Sequence, residues 1–133
     1  RNAFSDSQEG QDEVISRILY FVEHHWNELL KFSRRSEYAM NRWAARYGYE
    51  HTPKAIMDKA KKGGNGRYAA VNLCNYHTVE FRLFRGTLKY NTFIATIQLV
   101  NHICDVAMYN TDDSIAKLSW SDFVSDITEP ELI

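Results

Sequence analysis

A glutamate and an arginine stand two positions apart in the segment TVEFRLF, residues 78–84. Apolar and polar residues alternate here, and the segment is rich in β-branched and aromatic residues, which predicts a β-strand. Side chains two positions apart project from the same face of a strand, so we expect Glu80 and Arg82 to be neighbours, with Phe84 on their side. The opposite face would carry three apolar residues, Val79, Phe81 and Leu83. A carboxylate beside a guanidinium suits either a structural ion pair or a site that holds a metal ion and an anionic oxygen together.

Two further arginines flank this strand. Arg67 ends the glycine-rich segment KKGGNGR, residues 61–67, whose backbone amides could cradle a phosphate. The segment lacks P-loop spacing, and a solvated connector is the alternative. Arg85 precedes Gly86, where the missing side chain would let a ligand approach the backbone. In a regular strand, however, Arg85 would point away from Arg82.

Other basic residues are weaker candidates for a site. Arg42 and Arg46 are four positions apart on a predicted helix, so they could grip one anion, although solvated charge is the alternative. The five histidines show no spacing that favours a shared metal ion, and we expect them to lie on the surface or in the core. Because His24 and His25 are adjacent, they should point to different sides of a helix.

The first half of the chain is predicted to be helical. Asp6, Ser7 and Glu9 resemble a helix start, and apolar residues then recur at helical spacing from Val14 to Leu30. A second helix is expected over residues 36–47, with Gly48 as its stop. Thr52 followed by Pro53 predicts the start of a short helix that continues to Ala60.

A hairpin and two more helices are predicted in the second half. Residues 68–73 and 78–84 are close enough in sequence to pair as antiparallel strands. A long helix should follow a cap at Asn91 or Thr92, with one apolar side that covers the hairpin and consists of Phe93, Ile97, Val100, Cys104 and Ala107. Ser119 begins a capping pattern for a last short helix.

The same segments carry a resemblance to a known family. RYAAVNL (67–73), TVEFRLFRGTL (78–88) and the helix beginning NTFIATIQLV (91–100) resemble the C-terminal part of the amidoligase family, a branch of the glutamine synthetase-like carboxylate-amine ligases. HHWNELLKFSRR (24–35) and NRWAARYGY (41–49) extend the resemblance over nearly the whole chain.

This resemblance implies roles for the arginines and the glutamate. In the wider superfamily, a strand with the pattern E-x-R supplies a metal-ligating glutamate and an arginine that contacts the transferred phosphate. Glu80 would therefore bind Mg²⁺, and Arg82 would contact phosphate as both a catalytic and an ATP-binding residue. The resemblance also makes Arg67 a candidate ATP contact, while Arg85 is a further candidate catalytic residue.

The reaction implied is ATP-dependent amide formation. A substrate carboxylate takes the terminal phosphoryl group of ATP, and an amine then displaces the acyl phosphate. The family places an acidic metal-binding strand and a strand of the form H-x-H-V before this region, and neither occurs in the chain. We therefore expect residues 1–133 to be a single-domain C-terminal fragment of the catalytic domain that is inactive alone. Its partners would be the missing N-terminal half and small-molecule or peptide carboxylates and amines.

For the fold, we predict the α+β class. The antiparallel hairpin would belong to a larger glutamine synthetase-like sheet, with helices packed on one face. Without its neighbouring strands, the sheet edge could pair two copies into a homodimer. The alternative function is a non-catalytic binding or assembly module of phage or mobile-element origin that retains the ligase-like fold.

Composition narrows the class of protein further. A net charge of −1 gives no basic excess, which disfavours a nucleic-acid partner. Two cysteines without C-x-x-C spacing disfavour a disulfide scaffold or a cysteine zinc site and fit reducing cytoplasm. No apolar run approaches the roughly 20 residues that span a bilayer, so we expect a cytoplasmic protein without a membrane partner.

Overall fold

The computed structural model describes residues 1, 3–33, 44–61, 69–73, 78–84 and 90–125. These parts of the chain are mostly helical and contain one pair of short antiparallel strands. The elements in chain order are α1 (Gln8–His24), α2 (Trp26–Ser33), α3 (Pro53–Lys61), β1 (Val71–Asn72), β2 (Glu80–Phe81), α4 (Tyr90–Tyr109), α5 (Asp112–Lys117) and α6 (Trp120–Ser125). The structure thus combines helices with β structure, which agrees with the predicted class at this level.

Helix α1 lies at the centre of the core. It packs mainly against α3 and α4. Because neighbours cover several sides of α1, its buried residues are not confined to one stripe and include Val14, Ile15, Ile18, Leu19, Phe21 and Val22. The Ser7 hydroxyl caps its start by accepting a hydrogen bond from the Gly10 amide at 3.0 Å, which confirms the predicted cap.

The predicted first helix is in fact two helices. His25 separates α1 from α2 with φ −115° and ψ 29°, outside the helical region. Its amide still donates to the Phe21 carbonyl at 3.0 Å, and its carbonyl accepts from Leu29 at 3.1 Å. The helical spacing of apolar residues therefore continues across His25. For this reason, the sequence pattern did not indicate a break between two helices.

The segment between α2 and α3 differs from the prediction. Residues 36–43 of the expected second helix lie outside the described residues, but residues 44–47 are not helical. Ala45 instead forms an isolated parallel bridge with Ala69, and its carbonyl accepts from Ala70 at 2.7 Å. Helix α3 begins at Pro53 as predicted, with the Thr52 hydroxyl accepting from the Ala55 amide at 3.1 Å.

The buried face of α4 agrees with the predicted one only in part. Ala107 is buried as predicted, and Cys104 packs against the core from a partly buried position. Ile97, however, is 43% exposed, and the core receives Ala95, Leu99 and Ile103, which were not predicted. Apolar residues occur on more than one side of this helix, so packing against α1 selects the stripe. The helix begins at Tyr90, so Asn91 and Thr92 lie within its first turn rather than at a preceding cap.

Two short helices follow α4. Helix α5 was not predicted, although Thr111 and Ser114 form a capping box at its start. Helix α6 was predicted, and the Ser119 hydroxyl accepts from the Asp122 amide at 3.1 Å, as its capping pattern indicated. No helix in the described part of the chain is long and apolar enough to cross a membrane.

Candidate functional site

The hairpin that carries Glu80 is short and well defined in its register. Val71 pairs with Phe81, and Asn72 pairs with Glu80, in an antiparallel ladder. The Arg82 amide donates to the Ala70 carbonyl at 2.7 Å and extends the pairing by one bond. The two strands predicted at 68–73 and 78–84 therefore pair in the expected sense, but over fewer residues.

The apolar face of the hairpin joins the helical core, as predicted. Leu83 is fully buried, and Val79 and Phe81 pack against the core from partly buried positions. Phe84 was expected on the face of Glu80, but it packs against this core and makes an edge contact with Phe32 at 5.8 Å. Regular pairing has ended before Phe84, so side-chain alternation no longer fixes its direction.

Glu80 and Arg82 lie on one face and contact each other. Arg82 Nη1 donates to Glu80 Oε1 at 2.9 Å. The Arg82 side chain is 29% exposed and the Glu80 side chain 43% exposed, so solvent reaches both groups. The prediction that Glu80 and Arg82 are neighbours is confirmed. They form an ion pair in which both charged groups remain accessible to water.

A buried asparagine completes this arrangement. Asn72 is 4% exposed, and its Nδ2 donates to the same Glu80 oxygen at 3.4 Å. The cross-strand register explains the contact, because directly opposite residues share one face of an antiparallel pair. Sequence reasoning missed Asn72, because no register was assigned to the predicted hairpin and the contact depends on the pairing of residue 72 with residue 80. We call Asn72, Glu80 and Arg82 the hairpin cluster.

Side chains from distant parts of the chain hold the hairpin together. The Arg1 guanidinium donates to the Leu73 carbonyl at 2.8 Å and to the Thr78 carbonyl at 3.2 Å, so it bridges the two strands beyond their ladder. The Tyr47 hydroxyl donates to the Val71 carbonyl at 2.8 Å. These contacts fix the backbone from which Glu80 projects.

Two further arginines were predicted to belong to the site. Arg67 and Arg85 lie outside the described residues, so their proposed contacts with ATP or substrate stay predictions. Arg42 also lies outside them.

Arg46 pairs with a carboxylate of the protein, whereas its predicted helical position beside Arg42 had suggested that the two could bind one anion. Its Nε donates to Glu23 Oε1 at 2.8 Å, and its guanidinium carbon lies 5.1 Å from the centre of the Trp26 ring. The Glu23 side chain is 2% exposed, and it also accepts from the amides of Tyr47 at 2.9 Å and Gly48 at 3.0 Å. The Arg46 charge is therefore paired within the protein, whereas the sequence analysis had left it either to a bound anion or to solvent.

Of the histidines, His24, His25 and His102 are partly buried, His51 is exposed, and His77 lies outside the described residues. The His24 ring stacks on Tyr20 at 3.7 Å, and its Nε2 donates to the Glu50 carbonyl at 2.8 Å. His25 points elsewhere, toward Phe21, as its adjacency to His24 predicted. Burial, followed by the nearby Tyr49 hydroxyl, raises the pKa of Tyr20. Among the described residues, no group of three or more His, Cys, Asp or Glu side chains is arranged to hold a metal ion.

A concave surface lies between α1 and α3. This cavity of about 540 Å³ is lined by acidic and basic side chains, among them Asp12 and Lys61, which form an ion pair at 3.0 Å. The sequence analysis did not predict it, because its residues come from helical turns about 50 positions apart. It does not include the hairpin cluster.

Comparisons of the chain with models of protein families, with curated proteins and with solved structures found no match.

Proposed function

We propose that the hairpin cluster is part of the site of an ATP-dependent carboxylate-amine ligase of the amidoligase kind. One observation carries this proposal: Glu80 and Arg82 project side by side from one face of a strand, 2.9 Å apart and both accessible to solvent. A carboxylate oxygen suits Mg²⁺, and a planar guanidinium suits phosphate oxygens. The family itself is inferred from the sequence segments described above.

The ion pair between these residues is compatible with ligand binding. Pairs that remain exposed contribute roughly 0–1 kcal/mol, so little free energy opposes their separation. A ligand carrying Mg²⁺ and phosphate would offer Glu80 a cation and Arg82 an anion in exchange. Until then, each group keeps the other in place on the strand.

Glu80 fits Mg²⁺ as one ligand among several. Mg²⁺ is commonly bound by one or two carboxylates together with substrate phosphates and water, and the described hairpin supplies one carboxylate at this place. When bound, the ion would neutralise negative charge that develops on phosphate oxygens during phosphoryl transfer. Arg82 would stabilise the same charge from the protein side.

The proposal retains the wider expectations from the resemblance. The hairpin would belong to a larger glutamine synthetase-like sheet, and an upstream half of the domain would supply further metal ligands. Arg67 and Arg85 would contribute to the ATP and substrate contacts. The acceptor and donor would be a carboxylate and an amine, on small molecules or peptides, in the cytoplasm.

The second candidate is a non-catalytic binding or assembly module. The mutual contact between Glu80 and Arg82 favours it, since a purely structural pair would show the same geometry. In this case, the hairpin cluster stabilises the hairpin and has no role in phosphate binding.

The test is an assay of ADP release with Mg²⁺, ATP and a panel of amino acids and short peptides. It is run on the chain alone and on a longer polypeptide that adds the expected upstream half. We expect release only from the longer protein, and a loss of at least about a hundredfold in Glu80→Gln and in Arg82→Ala.

Matched controls separate a catalytic role from a structural one. Glu50 and Lys59 form another exposed ion pair, at 3.6 Å, so Glu50→Gln and Lys59→Ala should retain activity. If the Glu80 and Arg82 variants fold and turn over ATP like the native longer protein, the ligase proposal is wrong and the second candidate is favoured.

A further inference from the structure

Two histidines, one at a helix break and one within a helix, contact the last described segment of the chain. His25, at the break between α1 and α2, has its ring centre 5.9 Å from that of Trp120 in α6. His102 in α4 contacts the next aromatic residue of α6, with its Nε2 3.1 Å from the Phe123 carbonyl oxygen. A carbonyl oxygen can only accept, so His102 Nε2 carries the hydrogen.

The contact surface between this segment and the helices is aromatic. The Phe123 side chain is 1% exposed, and its ring lies 4.5 Å from that of Phe21 and 5.2 Å from that of Trp120. The His25 ring lies 4.6 Å from the Phe21 ring, and the backbone of Leu118 is close enough to influence its protonation. We call Leu118–Ser125 the latch segment.

The surroundings of His25 disfavour its charged form. Burial is the largest effect and lowers the pKa of His25, and His24 in α1 acts in the same direction. Glu28 in α2 and the backbone of Leu118 oppose it but do not reverse the net lowering. Helix α6 presents the uncharged Trp120 ring to His25, and its one carboxylate, on Asp122, is exposed.

We propose that His25 is an acid-sensitive latch that holds the latch segment on α1 and α4 near neutral pH and weakens its docking when the ring is protonated. Release of the latch segment exposes the ring on the side of Trp120 and moves its pKa toward the ordinary histidine value of about 6.5. Between this value and the lower pKa of the docked state, the released form binds a proton that the docked form excludes. The docking equilibrium constant therefore falls by up to about tenfold per pH unit on acidification, and it is independent of pH above this window.

His102 holds the same segment through the hydrogen bond from its Nε2 to the Phe123 carbonyl at 3.1 Å. The pH dependence of docking is assigned to His25, with His102 as an anchor.

The experiment is an NMR titration of the whole chain from about pH 7.5 to about pH 5, which brackets the ordinary histidine pKa. We expect the Trp120 indole and Phe123 amide signals to move toward positions typical of an exposed chain below about pH 6.5. The amides of Ile18 and Ile103, in the core of α1 and α4, should not follow them. In His25→Gln, which keeps a donor but does not titrate in this range, the transition should disappear.

A second histidine provides the control. His51 is exposed and packs edge-on against Tyr49, so His51→Gln should titrate at Trp120 like the native protein. If His25→Gln does not fold, His25→Phe tests the same loss of titration. The proposal is overturned if the Trp120 and Phe123 signals stay constant in the native protein, if they move equally without His25, or if the whole core unfolds with them.

Discussion

The Glu23 carboxylate should be the most costly single polar group to remove among those described above. It connects α1 to the segment 46–48 through three accepted hydrogen bonds, from Arg46 at 2.8 Å, Tyr47 at 2.9 Å and Gly48 at 3.0 Å. With 2% of its side chain exposed, no water can replace these contacts while the surrounding structure is retained. Glu23→Ala would leave a cation and two backbone amides without their acceptor.

The magnitude follows from the burial of the two charges. Removing one partner of a buried ion pair costs about 3–5 kcal/mol. The Arg46 side chain is 35% exposed and can recover part of its hydration, so we expect the lower end, about 3 kcal/mol. For 133 residues, an unfolding entropy of about 2.1 cal/mol/K per residue converts this loss into a decrease in Tm of about 11 °C.

The assay is urea unfolding followed by circular dichroism, with thermal unfolding as a second measurement. Glu23→Gln retains the shape and one acceptor oxygen, so its free energy of unfolding should lie between those of Glu23→Ala and the native protein. Glu13 lies on the same helix and is exposed, and Glu13→Ala should change stability by less than about 0.5 kcal/mol. A Glu23→Ala protein as stable as this control would refute the account of the buried carboxylate.

Two further predictions concern one buried and one partly buried side chain elsewhere. Arg17 is 9% exposed, and its Nε donates to the Ala107 carbonyl at 2.6 Å. Arg17→Met leaves this carbonyl without its donor and should therefore lower the free energy of unfolding by about 2 kcal/mol in the same urea assay. An unchanged unfolding midpoint would contradict this role. Burial, reinforced by Asp105, raises the pKa of Cys104 to about 11, two units above the 9.0 of an ordinary thiol. At pH 8, alkylation of Cys104 by iodoacetamide, measured by peptide mass spectrometry, should thus be about a hundredfold slower than in urea-unfolded protein, and equal rates would show that the thiol is accessible and ionised.

Local sequence signals predicted much of the helical structure. The caps at Ser7, Thr52 and Ser119 each satisfy a free backbone amide within three residues, so their effect is visible in a short window. The shared face of Glu80 and Arg82 follows in the same way from the two-residue period of a strand. These predictions succeeded because the interacting groups are neighbours in the chain.

Contacts between distant residues had no such signal. Arg46 was assigned to a helix with a free cationic face, but its partner is Glu23, 23 positions earlier. The contacts of Arg1 with the hairpin span more than 70 positions, and no period in the sequence indicates them. The stripe of α4 that faces the core was likewise decided by packing against α1, since several stripes of this helix are apolar.

The segment 45–48 touches two parts of the molecule at once. On one side, the amides of Tyr47 and Gly48 are held by Glu23 of α1. On the other side, the Ala45 carbonyl accepts from Ala70, and the Tyr47 hydroxyl donates to the Val71 carbonyl. The segment 45–48 therefore connects α1 to the hairpin through hydrogen bonds on both sides. We expect the amide protons of Gly48 and Ala70 to exchange with deuterium as one cooperative unit. Loss of the hydrogen bonds to Glu23 would then loosen the hairpin that carries Glu80, although no residue of the hairpin had been changed.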